Sequence, residues 1–190
     1  MKSLALKLSV KIPSNKIEIE QDLLEERNKS KNECTHIVDN IYLSGYRFSL
    51  DYEFLKKNEF THIINCAAGS KRFNSVVYPN FEYLNLFLKD DPNEDLEHHI
   101  VSVIDFMEKA NEVKNRKILL HCFEGISRAP TLLTSYLMWN YNLNYESAVK
   151  LIRQKRPCVE MNFGFICQLE KLNEKIFLCL QSNKYISIRN

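Results

Sequence analysis

Glycine and proline are scarce in this chain of 190 residues, at 4 and 5 respectively. That excludes a collagen-like, low-complexity or Gly/Pro-rich disordered chain. Net charge is nearly absent, +2 from 26 basic and 24 acidic side chains. A nucleic-acid binder normally carries a clustered basic excess, so no nucleic acid is expected as a partner. No apolar run is long enough to span a membrane. The opening MKSLALKLSVKI is interrupted by Lys7 and Lys11 and lacks a small-residue cleavage site, so it does not read as a secretory signal. Lys2 excludes the myristoylation motif. The expected location is therefore the cytoplasm or the nucleus. No C-x-x-C pair occurs among Cys34, Cys66, Cys122, Cys158, Cys167 and Cys179, which argues against a metal site of the usual zinc spacing. Five of these cysteines are expected to be reduced, small, buried hydrophobes, including Cys167 and Cys179 on an apolar helical stripe.

Hydrophobic residues make up 45% of the chain, enough for one sizeable core. Residues 4–12 alternate in polarity, Pro13-Ser14-Asn15 reads as a turn, and KIEIE alternates again, which predicts a β-hairpin. DLLEERNKSKNE then reads as a short helix fading into a linker. Residues 1–33 are thus an N-terminal extension, 34–182 the main domain and 183–190 a tail. HIVDNIYLSG predicts two short strands around Asp39-Asn40, and Ser49 is placed to cap a helix through Phe54 and Leu55. THIINCA, FEYLNLFL and KILLHC are continuous apolar strands of the kind found inside parallel sheets. Leu96, Ile100, Val103, Ile104 and Met107 mark one helical face. Three more helices follow the last strand, one capped by Asn144 and ended at Pro157, the last carrying Phe165 to Phe177. The fold class is α/β, with a central, mostly parallel, twisted sheet flanked by helices.

HCFEGISRAP, residues 121–130, joins the third apolar strand to a buried helix. A short strand-to-helix loop can curl so that its backbone N–H groups, here from Phe123, Glu124, Gly125, Ile126, Ser127 and Arg128, converge on an anion. The following helix adds its N-terminal dipole, and Pro130 is tolerated in that first turn. Arg128 can grip two phosphate oxygens with its planar fork. The same electropositive nest stabilises a thiolate on Cys122, making it a nucleophile. His121 would orient the loop by hydrogen bonds.

HCFEGISRAPT resembles the signature loop of the cysteine-dependent protein tyrosine phosphatases, in their dual-specificity branch. FTHIINCA, YPNFEYLNLFLKDD, KILLHCFEGISRAPTLLTSYLM and NFGFICQLEKL match that branch in order and spacing over residues 34–178, closest to its atypical, compact members. The resemblance implies that branch's fold, hydrolysis through a phosphocysteine, and no cofactor. It implies a general acid in the Lys89–Pro92 loop, with Asp90 aligning best and Asp91 second. Asp91, Glu94 and Asp95 read otherwise as turn residues. It implies that Asn162 steadies the signature loop, a role compatible with capping the last helix. It also implies a hydroxyl directly after the Arg, which assists thiolate departure. This chain has Ala129 there, so phosphocysteine hydrolysis is expected to be slow.

The implied substrates are phosphotyrosine and phosphoserine or phosphothreonine on proteins, with mitogen-activated protein kinases as candidate partners. Acidic Glu124 in the loop disfavours highly charged lipid headgroups. Two other readings stay open: a phospho-binding scaffold with little turnover, motivated by Ala129, and a phosphatase of lipid or carbohydrate phosphates. Lys71, Arg72, Arg153, Lys155 and Arg156 could meet a phosphorylated activation loop or form a plain solvated basic face. Lys7 to Ile12 resembles a kinase-docking motif, though an edge strand is the preferred reading. Cys66 reads first as a buried strand cysteine and second as a redox partner of Cys122. The oligomeric state is not legible.

Overall fold

A computed structural model describes residues 14–71 and 76–181 of the chain, with side-chain surroundings for 21–71 and 76–173. Five strands form one sheet: β1 (Thr35–Val38), β2 (Ile41–Gly45), β3 (His62–Asn65), β4 (Glu82–Asn85) and β5 (Ile118–Cys122). Their order is β1-β2-β5-β3-β4, antiparallel between β1 and β2 and parallel elsewhere. The expected mostly parallel sheet is therefore present. β5 lies at its centre, and every residue of ILLHC is buried. A continuous apolar run suits that position because both faces of an inner parallel strand are covered.

The two faces carry different cores. Ile64, Ile118 and Leu120 face the larger one, with Leu132, Leu133, Tyr136 and Leu137. Ile63 and Leu119 face a smaller one, with Leu55 and Phe60. Side chains alternate across a strand, so one apolar run feeds both cores. Under the larger face pack α4 (Glu97–Asn111), α5 (Arg128–Asn140), α6 (Tyr145–Lys155) and α7 (Phe163–Gln181). α5 is buried from Ala129 to Met138, with the other three helices around it. α2 (Tyr46–Ser49) and α3 (Tyr52–Lys57) precede β3. Asn144 caps α6 as expected, accepting from the Ser147 N–H at 2.8 Å.

Several expectations change. The KIEIE arm of the hairpin lies inside α1 (Ser14–Lys31), while residues 4–12 lie outside the described residues. Five alternating residues were a weak signal against a long run of Glu, Gln, Leu, Lys and Arg, all good helix formers. Asp51, not Ser49, caps α3, accepting from the Phe54 N–H at 2.9 Å. Ser49 instead ends α2 and donates to the Tyr46 carbonyl. β4 is an edge strand with Glu82 and Asn85 exposed, so FEYLNLFL is only partly buried. Cys66 and Cys158 are buried, but Cys34 and Cys167 are only half-buried, and the Cys179 side chain lies outside the described ones.

Candidate active site

Parallel strands deliver their C-terminal ends to one edge of the sheet. There Cys122 closes β5 beside Gly45 of β2, and Cys66 follows β3 beside it. Such edges are where open α/β sheets bind ligands. The chain then turns through Phe123 to Ser127 into α5, and Gly125 makes the turn possible. Its φ is +69°, and a Cβ there would lie 2.4 Å from the Ser44 carbonyl oxygen. Both facts demand glycine.

Every carbonyl of this loop is held from outside. Phe123 accepts from the Tyr46 N–H at 3.2 Å, and Ile126 from the Glu160 N–H at 3.0 Å. Ser127 accepts from the Thr131 N–H at 2.9 Å and from its hydroxyl at 2.8 Å. Glu124 and Gly125 accept from the Arg156 guanidinium at 3.1 and 2.9 Å. Across a trans peptide the next N–H points the opposite way. The N–H groups of Glu124 to Arg128 therefore converge on the interior. Gly125 N–H donates to Cys122 Sγ at 3.2 Å. Cys122 itself is 2% exposed, at the floor of a cavity of about 400 Å³.

Asp90 stands at the mouth. Its Oδ1 accepts from the Ser127 hydroxyl at 2.7 Å and from Asn162 Nδ2 at 2.9 Å. Its Oδ2 lies 3.6 Å from Arg128 Nε. Asp91 faces away and closes its own turn, accepting from the Asn93 N–H at 2.9 Å. Asp95 does the same for Glu97 N–H at 3.0 Å, and the Glu94 side chain lies 3.9 Å from His99. So Asp90 alone of these acids reaches the loop. Asn162 combines its two anticipated roles: its Oδ1 accepts from the Phe165 N–H at 2.9 Å, capping α7, while its Nδ2 holds Asp90.

Arg128 Nη1 donates to the Leu88 carbonyl at 3.4 Å, tying the arginine to the strand exit that carries Asp90. Its Nε is buried and has no hydrogen-bond partner among the described residues. His121 is buried, and burial pushes its pKa down to about 4, so it is neutral at pH 7 and adds no charge to the loop. Ala129 is fully buried at the start of α5 and brings no hydroxyl. Burial pushes the Cys66 thiol well above its ordinary value, and the neighbouring Cys122 adds to this. No group of histidine, cysteine, aspartate or glutamate among the described residues could hold a metal ion.

Sequence reasoning overlooked three features. The Ser127 hydroxyl bonds Asp90. Glu160 lines the cavity mouth, held by Arg27 at 2.6 Å. Arg156 belongs to no solvated basic face, because it is completely buried. Nothing in RQKRP distinguished it from Arg153 and Lys155. Arg72 and Lys7 to Ile12 lie outside the described residues.

A family model described as "Dual specificity phosphatase, catalytic domain" matches residues 41–175. The protein-tyrosine-phosphatase MKP1 of Arabidopsis thaliana is 31% identical over 176 residues, covering 90% of this chain and 22% of that protein. Human dual specificity protein phosphatase 22 is 28% identical over 143 residues, covering 75% of each chain. The chain thus spans about a fifth of the Arabidopsis relative's length. Among solved structures, the human tyrosine phosphatase-like serine/threonine/tyrosine-interacting protein superposes with a TM-score of 0.69 at 26% identity, covering 76% of this chain and 97% of that one.

Proposed function

The chain belongs to the dual-specificity phosphatase family, and from that premise we propose that it hydrolyses phosphate monoesters of phosphorylated proteins through a phosphocysteine. Cys122 Sγ attacks phosphorus as the ester P–O bond breaks, and the Asp90 carboxylic acid gives its proton to the leaving oxygen. Water then attacks the phosphocysteine, its proton passes to the Asp90 carboxylate, and the S–P bond breaks to free inorganic phosphate. Arg128 and the inward N–H groups of Glu124 to Arg128 hold the equatorial oxygens through both steps.

The observation that carries this reading is the loop with all five carbonyls from Phe123 to Ser127 bound on its outer side. A backbone held that way presents fixed donors to a tetrahedral dianion without reorganising. Within phosphoproteins, a doubly phosphorylated mitogen-activated protein kinase is the substrate we put first. Glu124 and Glu160 both line the cavity, which weighs against polyanionic lipid headgroups.

The test is phosphate release from phosphotyrosyl and phosphothreonyl peptides, a phosphorylated kinase and a phosphoinositide. Release from the proteins that Cys122→Ser abolishes is expected. Ala129 motivates a second reading, binding of phosphoprotein without turnover. Tight phosphopeptide binding by the unmodified chain with no phosphate release would establish that reading instead. On the first reading a pre-steady-state burst precedes slow turnover, and Ala129→Ser speeds the slow phase.

A further inference from the structure

Arg156 is a fully buried cation that the proposed chemistry does not use. It has no ion-pair partner among the described residues. Its partners are backbone carbonyls and one hydroxyl. Nε donates to the Gly125 carbonyl at 2.9 Å and Nη2 to the Glu124 carbonyl at 3.1 Å. Nη1 donates to the carbonyls of Ser30 at 2.6 Å and Glu33 at 2.9 Å, and to the Thr35 hydroxyl at 2.9 Å. One edge of the guanidinium thus grips the loop, and the other grips the end of α1 and the start of β1.

The grip on the loop has a directional consequence. The peptide whose carbonyl is Glu124 ends in the Gly125 N–H, the group that donates to Cys122 Sγ at 3.2 Å. The peptide whose carbonyl is Gly125 ends in the Ile126 N–H. A cation on each oxygen turns both N–H groups inward and polarises them, because hydrogen bonds in a chain strengthen one another. An arginine charge left without a carboxylate favours an anion held across those peptides.

The outer grip is reinforced around it. Cys158 N–H donates to the Ser30 hydroxyl at 3.1 Å, and Arg27 pairs with Glu160 at 2.6 Å. Glu160 N–H in turn holds the Ile126 carbonyl at 3.0 Å. The end of α1 is therefore joined to the loop by Arg156 and by the segment that follows it.

We propose that Arg156 is a positioning residue for the anion-binding loop, aiming the Gly125 and Ile126 N–H groups, and that the α1 end supplies the outer half of its seat. Ser30, Glu33 and Thr35 then act on chemistry at Cys122 while touching no substrate. This rests on the proposed phosphatase reading for its kinetic consequences only.

The experiment uses the full chain with Arg156→Met, Arg156→Lys, Ser30→Ala and Thr35→Val. Thermal unfolding establishes that each is folded. The pH dependence of Cys122 alkylation by iodoacetamide, followed by mass spectrometry of the Cys122 peptide, reads thiolate stabilisation without any phosphate substrate. An aryl phosphate then gives kcat and KM. Arg156→Met is expected to move the alkylation midpoint to higher pH and to lower kcat about 100-fold, with a smaller change in KM. Arg156→Lys recovers part of both. Thr35→Val removes the hydroxyl that Nη1 binds, and Ser30→Ala keeps the carbonyl on Nη1 but removes the bond from Cys158 that braces it; each should move the midpoint the same way and lower kcat about threefold. If Arg156→Met does not fold, these two carry the test. Folded variants with an unshifted midpoint would overturn the proposal. A wild-type chain that releases no phosphate defeats the phosphatase reading and leaves the alkylation result to decide this one.

Discussion

Removing the Ser127 hydroxyl tests whether the acid at the cavity mouth is held by the loop it serves. Ser127 donates to Asp90 Oδ1 at 2.7 Å, and Asn162 shares that oxygen at 2.9 Å. A hydrogen bond to a charged group contributes about 1.5–3 kcal/mol when desolvated. The Asp90 side chain is 39% exposed, so water screens part of that and about 1 kcal/mol is the fitting magnitude. If the bond aims the acid, Ser127→Ala should lower kcat/KM, which reports phosphocysteine formation even where its hydrolysis limits turnover, about fivefold. Phenyl phosphate, whose leaving group needs the proton, should show the full loss, and p-nitrophenyl phosphate less. Steady-state kinetics in wild-type and Asp90→Ala backgrounds completes the cycle. In the Asp90→Ala background, Ser127→Ala should cost nothing further. An equal loss in both backgrounds would refute the reasoning, since the hydroxyl would then act without Asp90.

Gly125→Ala should lower the urea unfolding free energy by at least about 2 kcal/mol and abolish turnover, because it combines a left-handed backbone with a clash on Ser44; near-native stability would contradict the loop geometry. Burial lowers the pKa of His121 to about 4, below its unfolded value, so the unfolded chain takes up the proton first. Stability should therefore fall as pH drops from about 6.5 towards 4, by about 3 kcal/mol at the limit, with His62 and His99, lowered for the same reason, adding to the slope. Urea titrations at pH 7 and 5 measure this, and His121→Gln should flatten the curve. Cys66 and Cys122 each follow directly on the last pair of β3 and β5, Asn65 with His121, and neighbouring strands lie about 4.8 Å apart, within the reach of a disulfide. Peroxide should oxidise Cys122 to a sulfenic acid, which Cys66 captures with release of water; peptide mapping that finds only irreversible Cys122 oxidation contradicts this.

Much of the catalytic end of the fold was legible because its signals are local. KILLHC reads as a central strand because both its faces must be apolar. HCFEGISRAP reads as a loop into a helix because Gly125 and Pro130 sit where the backbone needs them. Asp90 and Asp91 were not separable by composition, since both are acids in one turn. Distance separates them: one reaches Ser127 and Asn162, and the other closes on Asn93. The KIEIE arm misled because alternation over five residues is compatible with a helix when the residues are helix formers.

The order of residues by itself marked Cys122 as the candidate nucleophile, and showed the strand-to-helix loop that follows it, the strands that carry that loop and the missing hydroxyl at Ala129. Each of these depends on neighbours within a few positions. Only the tertiary structure showed that Asp90 and not Asp91 reaches the loop, that Ser127 and Asn162 share it, and that Arg156 is buried rather than solvated. Those outcomes depend on partners 31 to 126 positions away in the chain, brought within hydrogen-bond distance by the packing of α1, the loop and the segment after α6. A basic side chain carries no mark of its burial until the carbonyls that hold it are in place.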